Sequence, residues 1–171
     1  MKLPALKDGD LFFELVTVNK GESIVDAYGN LNILAEGVAY RPSGCFEQSC
    51  AQTYTGDQPV QVDEWVIRFQ LKSGLRWADG NPLKAEDSVY SYEVAAALYP
   101  AALPALIQRT KSYKALDELT VEWRGLPGYL DGEIASKFFS PLPRFAWGTL
   151  KADELSTAEI SARQPLGWGA Y

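Results

Sequence analysis

Between Trp65 and Leu71 the apolar residues Trp65, Ile67, Phe69 and Leu71 alternate with Val66, Arg68 and Gln70. A strict period of two predicts a β-strand with one buried and one solvated face. Two turn signals follow at once, Lys72-Ser73-Gly74 and Asp79-Gly80-Asn81-Pro82, with Leu75-Arg76-Trp77 between them. The period then changes. From Ala85 to Tyr99 the spacing of Val89, Tyr92, Ala96 and Tyr99 predicts a helix, with Glu86 and Asp87 in its first turn, where carboxylates suit the positive end of the helix dipole, and Pro100 at its end. A strand passed through two glycine turns into a helix fixes the centre of the chain as mixed α and β.

The flanks extend that reading. Leu11 to Val18 is apolar and β-prone, and Asn19-Lys20-Gly21 turns it into a short strand from Ser23 to Ala27. Ser43 to Gln61 is polar and reads as a long surface loop. Leu119, Val121 and Trp123 alternate with Thr120, Glu122 and Arg124, with a partner strand at 111–116 and Asp117-Glu118 as the turn. Helices are expected at 129–139 and 152–163, with a short apolar piece at 145–150. The fold class expected is α+β, with a mixed, mostly antiparallel sheet from the strands near 11–18, 62–71 and 111–124, covered by the helices at 85–99 and 129–139.

Composition removes several functions. The 171 residues include no histidine, which excludes Ser–His and Cys–His nucleophiles, an imidazole proton shuttle and His-ligated zinc. Sixteen Lys and Arg against 22 Asp and Glu leave a net charge of −6, the opposite of a nucleic-acid footprint. No metal or cofactor is expected. The longest nearly uncharged stretch, 94–108, is interrupted by Pro100 and Pro104 and is too short to span a bilayer. The first ten residues contain no apolar core of the kind a signal peptide needs, so an export signal would lie outside this sequence. Five tryptophans, nine tyrosines and seven phenylalanines are ample for a core and leave some for a surface; most are read as core, and Trp77, Tyr129, Trp147 and Trp168 are the rings to check for an aromatic face that takes carbohydrate or protein.

Cys45 and Cys50 are the only cysteines. Two thiols cannot complete a zinc site, and four intervening residues do not make the Cys-x-x-Cys redox spacing. Either a small disulfide loop in an exported protein or two free thiols in a cytosolic one fits the spacing. Their turn-rich polar setting favours the disulfide.

The block from Trp65 to Val89, with Leu75-Arg76-Trp77-Ala78-Asp79-Gly80-Asn81-Pro82-Leu83-Lys84-Ala85-Glu86-Asp87 at its heart, resembles the signature of the family 5 extracellular solute-binding proteins, the peptide- and nickel-binding receptors of ABC importers. Leu11-Phe12-Phe13-Glu14-Leu15 is similar to that family's Tyr/Phe-Glu-x-Leu segment, and Ile33-Leu34-Ala35-Glu36 to its Pro-x-Leu-Ala-Glu. Pro165-Leu166-Gly167-Trp168-Gly169-Ala170-Tyr171 is similar to its Pro-x-Gly-Thr-Gly-Pro-Tyr. Departures are Lys84 for the capping Thr, Ala78 for a small polar residue or His, Trp168 and Ala170 for Thr and Pro, and an apparent insertion at 43–61.

The block also has a cause in the residues themselves. Gly74 and Gly80 permit tight turns on either side of Trp77, Asp79 suits an Asx turn, Pro82 fixes φ near the helix entry, and Asp87 reaches back to free N–H groups. Lys84 as N-cap would forgo about 1 kcal/mol of capping, which Asn81 as an alternative cap would avoid. Gly74, Trp77, Asp79, Gly80, Pro82, Glu86 and Asp87 are therefore read as architecture, with Trp77, Trp168 and Tyr171 as weak candidates for solute contact.

The resemblance implies the accessory domain of a periplasmic binding protein-like II receptor over 1–164, with 165–171 starting the return to the first main lobe. It implies as partners the remaining lobes, a peptide-like solute and, through the full-length protein, an ABC permease. It places the protein outside the cell or in the periplasm, membrane-tethered in its parent, and with export the Cys45–Cys50 disulfide gains weight. A carboxylate enzyme is the rival, and its candidates Asp79, Glu86 and Asp87 are better explained by turn and cap duties.

Overall fold

The computed structural model describes residues 4–5, 8–98, 104–163 and 166–167. Its centre is a four-stranded antiparallel sheet in the order β1-β6-β8-β7, from β1 (Leu11–Val18), β6 (Val60–Gln70), β7 (Thr110–Ala115) and β8 (Thr120–Gly125). Two small ribbons lie between β1 and β6 in the chain: β2 (Ser23–Val25) with β3 (Leu31–Ile33), and β4 (Ala39–Tyr40) with β5 (Gln52–Thr53). The expected surface loop at 43–61 thus carries β5 and the start of β6, and Tyr54 within it is buried.

Helix α1 (Ala85–Leu98) follows the signature, and the short helices α2 (Pro104–Arg109), α3 (Arg144–Trp147) and α4 (Glu159–Ala162) complete the fold. Odd-numbered residues of β1, β6 and β8 face the main core, where Leu11, Trp65, Ile67, Phe69, Val121 and Trp123 pack with Ala85 and Val89 of α1. A second row on α1, Tyr90 and Val94, packs on Trp147 and Leu155. The helix is therefore buried on two sides, where the sequence pattern indicated one stripe.

Two expectations are corrected. No helix spans 129–139: the segment is irregular, with bends at Gly132 and Ile134 and a 3-10 turn at Ala135–Lys137. Asp131 there accepts the Glu133 N–H at 2.9 Å, a local side-chain bond that competes with a helical turn, and Gly132 stands between them. The 152–163 region holds only a 3-10 turn (Ala152–Glu154) and α4.

The opposite face of β6 is not solvated either. Val62 packs with Val18, Ile24, Leu34, Tyr40, Tyr54 and Val60 in a second core. Further along, charged side chains roof the face: Arg124 pairs with Glu14, Glu64 and Glu122, Arg68 with Glu122, and Lys111 with Glu64. Beneath them Val66 is 0% and Glu64 1% exposed. Long cationic stems cover apolar strand residues while their heads neutralise the carboxylates.

Cys45 and Cys50 are joined in a disulfide. Their loop is tied down through Asp63, whose carboxylate accepts Ser43 Oγ–H at 2.6 Å and the Gly44 N–H at 2.8 Å.

Candidate functional site

The signature closes into a small hairpin between β6 and α1. Gly74 and Gly80 adopt φ of +79° and +89°, so both turns use the left-handed region open to glycine. Trp77 N–H donates to the Asn81 carbonyl at 2.9 Å and Gly80 N–H to the Trp77 carbonyl at 2.9 Å. Asp79 forms the Asx turn, its Oδ1 accepting Asn81 N–H at 3.0 Å and its Oδ2 accepting Asn81 Nδ2–H at 2.8 Å. Asn81 is thereby committed to the turn, and Lys84 is the residue before the helix. Pro82 bridges to Arg76 within the hairpin rather than opening the helix.

Asp87 holds the block together. At 4% exposure, its Oδ2 accepts the Lys84 N–H at 2.9 Å and the Trp77 Nε1–H at 3.1 Å, while Oδ1 accepts the Arg144 N–H at 3.1 Å. The first bond is the reciprocal half of a capping box. The Ala85 N–H goes to the Glu118 carbonyl at 2.8 Å, and Lys84 Nζ pairs with Glu118 Oε1 at 2.9 Å, so the turn between β7 and β8 supplies what a hydroxyl cap would have. Trp77 is 3% exposed and packs with Leu71 and Leu83, with Leu166 against them. The Ala78 N–H donates to the Gly167 carbonyl at 2.9 Å.

Trp77 therefore builds the fold and offers no ring to a solute. Tyr129 and Trp147 are also buried, so three of the four rings named for an aromatic face are core. That alternative is corrected for them. Trp168 and Tyr171 lie outside the described residues.

Two clefts flank these elements. One, of about 380 Å³, is lined by Asn81, Pro82, Lys84, Glu86, Arg144 and Phe145, together with Asp87. Glu86 is ion-paired to Arg144 at 3.0 Å across it, and Phe145 is half exposed with its ring edge-on to Trp77 at 6.3 Å. The other, of about 480 Å³, runs between α2 and the irregular 129–140 segment. Its floor holds the buried Lys137, whose Nζ donates to Asp131 Oδ2 at 2.6 Å and Ser136 Oγ at 3.1 Å and lies over the rings of Trp123 and Tyr129. Tyr129 Oη–H also donates to Asp131 Oδ2.

Burial would raise the Asp131 carboxyl, but bonds from Lys137 and Tyr129 outweigh it and hold it below its ordinary value. Burial, reinforced by Asp131, raises the Tyr129 phenol. Burial also pushes the Tyr113 phenol up to about 12, against bonds to Ser88 and the Phe139 N–H. Asp131, Tyr129 and Lys137 are thus paired with one another, and Tyr113 with Ser88. Among the described residues no group of three or more His, Cys, Asp or Glu is placed to hold a metal ion, and no helix is long and apolar enough to cross a membrane.

The second cleft was missed in the sequence because 129–139 looked helical. The signal present was Gly132 beside Asp131, a turn pair in the middle of the proposed helix. At Arg144 and Phe145 the sequence shows only the break at Pro141 and Pro143 and an apolar piece, with nothing local to indicate that Arg144 returns to α1.

The strand, hairpin and helix joined through Trp77 and Asp87 lie within the span by which the family of this chain is shown. Residues 55–171 match the family described as bacterial extracellular solute-binding proteins, family 5 Middle. The chain belongs to that family. The landmarks at 11–15 and 33–36 and the disulfide loop lie outside the matched span.

Among curated proteins, the probable deoxycholate-binding periplasmic protein YgiS of Escherichia coli (strain K12) is 44% identical over 43 residues, covering 21% of this chain and 8% of that protein. Among solved structures, the oligopeptide-binding protein AppA of Bacillus subtilis, in complex with a nonapeptide, aligns over 88% of this chain and 26% of its own, at 18% identity and TM-score 0.49. A periplasmic oligopeptide-binding protein of Thermotoga maritima aligns over 88% and 24%, at 18% identity and TM-score 0.45. The chain thus spans about a quarter of the length of these solved proteins.

Proposed function

We propose that this chain is the accessory, architectural part of an extracellular or periplasmic receptor, tethered to the membrane, that captures oligopeptides or similar solutes and passes them to an ABC permease. The observation that carries the reading is the family match over 55–171, which contains the whole strand–hairpin–helix signature. The inward orientation of that signature supports an architectural role: Trp77 and Asp87 are occupied with each other, leaving the main lobes of the receptor to hold most of the solute. The 165–171 segment would lead back to the first of those lobes. The function is binding without catalysis, and Asp79, Glu86 and Asp87 support this because turn, ion pair and cap occupy all three.

Titration calorimetry of the chain with a random peptide library, and separately with deoxycholate because of the E. coli relative's name, tests the reading. Binding no tighter than millimolar is expected. Micromolar binding of either solute to this chain alone would overturn the architectural role.

A further inference from the structure

The Cys45–Cys50 disulfide is a reactive group that neither the signature nor the clefts account for, and its two halves are placed differently. Cys45 is buried, at 6% exposure, whereas Cys50 ends the exposed run 46–50. The loop is anchored on both flanks by groups that do not depend on the disulfide. On one side Asp63 holds Ser43 and Gly44, and the Ser43 N–H donates to the Gln61 carbonyl at 2.9 Å. On the other, Gln52 pairs with Tyr40 in the β4–β5 ribbon, and its Oε1 accepts the Tyr40 Oη–H at 3.1 Å.

Only 45–51 is left for the disulfide to shape. Within it Phe46, 53% exposed, sets its ring 5.1 Å from that of Phe13, which stacks on Trp65 at 6.3 Å. Trp65 in turn meets Trp123 edge-on at 5.9 Å in the main core. The disulfide thus holds one exposed ring at the outer end of an aromatic row.

We infer that this disulfide is a thiol-exchange site with a fixed direction: a small thiol attacks Cys50, Cys45 leaves, and the opened loop releases Phe46 from Phe13. Displacement at sulfur needs the thiolate in line with the breaking bond, so access decides which sulfur is taken. Burial closes that approach at Cys45 and leaves it open at Cys50. The same burial makes Cys45 the poorer leaving group, which slows the step without opening the other approach. The new bond joins the incoming sulfur to Cys50 Sγ as the Cys45–Cys50 bond breaks. Its electron pair passes to Cys45 Sγ, which takes up a proton to replace the one the incoming thiol lost to water. Both sulfurs lie 3.2 Å from the Glu47 carbonyl oxygen, so the freed Cys45 S–H has an acceptor. Buried and protonated, Cys45 is slow to attack back, and the adduct on Cys50 persists. The Glu47 carboxylate, which accepts the Ser49 Oγ–H at 3.2 Å next to Cys50, favours cationic over anionic thiols. The exchange needs nothing outside this loop, so it stands apart from the receptor reading.

The oxidised chain, treated briefly with cysteamine, quenched with a maleimide and mapped by mass spectrometry, is expected to carry cysteamine on Cys50 and maleimide on Cys45. The opposite arrangement should be rarer by more than about tenfold, and denaturing urea should abolish the preference. Glu47→Gln should narrow the rate difference between cysteamine and thioglycolate. By NMR, the Trp65 indole signal should move on adduct formation as it does in Phe46→Ala, and should not move further when the adduct forms on that variant. An even split or a Cys45 adduct in the folded chain, an equal preference in urea, unchanged thiol selectivity in E47Q, or an unmoved Trp65 signal would each overturn the inference.

Discussion

Removing the Asp87 carboxylate should be among the most damaging single changes outside the main core. Asp87→Ala leaves three donors without an acceptor: the Lys84 N–H, the Trp77 Nε1–H and the Arg144 N–H. Bonds to an ionised acceptor contribute about 1.5–3 kcal/mol each, and relaxation or water recovers part of the loss at the exposed residues Lys84 and Arg144. A net loss of about 3–5 kcal/mol follows. Asp87→Asn keeps one oxygen, which can still serve Lys84 and Trp77 but turns its amide N–H₂ toward the Arg144 N–H, so about 1–2 kcal/mol is expected. Trp77→Phe removes one of the three donors, so its combination with Asp87→Ala should cost less than the sum of the two. Urea unfolding followed by tryptophan fluorescence measures all four proteins. Equal stability of Asp87→Ala and Asp87→Asn, or strict additivity with Trp77→Phe, would refute the assignment of Asp87 as the shared acceptor.

Cys45→Ser with Cys50→Ser opens a loop of sequence separation 5 and should lower stability by about 2 kcal/mol on the loop-entropy estimate, read as a lower urea midpoint matched by the wild type under reductant. Gly128→Ala should cost more than about 2 kcal/mol, because φ there is +80° and a Cβ would meet the Val25 carbonyl oxygen at 2.4 Å; thermal unfolding checks it. Acid should unfold the protein through the roofed sheet face: Arg124 holds the Glu14 carboxyl below its ordinary value, and at Glu122 burial acts upward but is outweighed by bonds from Arg124 and Arg68. Both folded values lie below the unfolded one, so this stability is complete above about pH 4.5 and falls as pH drops through the folded values. Glu122→Gln should flatten that limb in urea midpoints taken across the acid range, and an unchanged pH slope would exclude the face as its source.

What could be read from the sequence was what local periodicity and turn chemistry decide. Ala85–Leu98 is helical and Val60–Gln70 is a strand as the spacing indicated, and Gly74, Asp79 and Gly80 occupy the turns that their conformational preferences demand. The failures share a cause in long-range contact. Tyr129 to Phe139 reads as helical, but its groups are claimed from elsewhere: the Phe139 N–H by Tyr113 Oη at 3.2 Å, and the Phe139 carbonyl by Ser88 Oγ at 2.5 Å. The six-residue α2 opens on proline and is too short to establish a period. Glu64 and Val66 alternate as outward residues should, yet both are buried, because their cover comes from Lys111 and Arg124, some 50 residues downstream. No window around β6 contains that information.

The pattern of match and departure within the signature follows the same division. Its turn-forming and buried positions have duties inside the fold: Gly74 and Gly80 through positive φ, Asp79 through its Asx turn, Trp77 and Leu83 through packing, Asp87 through its three bonds. Ala78 and Lys84 depart from it, and both side chains are exposed; only the Ala78 backbone N–H and the Lys84 cap geometry are used, and neither needs a particular side chain. A block whose buried side chains are taken up by packing, turns and a helix cap constrains architecture first. The outward-facing groups nearest the block are Phe145 and the Arg144–Glu86 pair at the mouth of the 380 Å³ cleft, one apolar ring and one ion pair on that side of α1 that the block's own packing does not use.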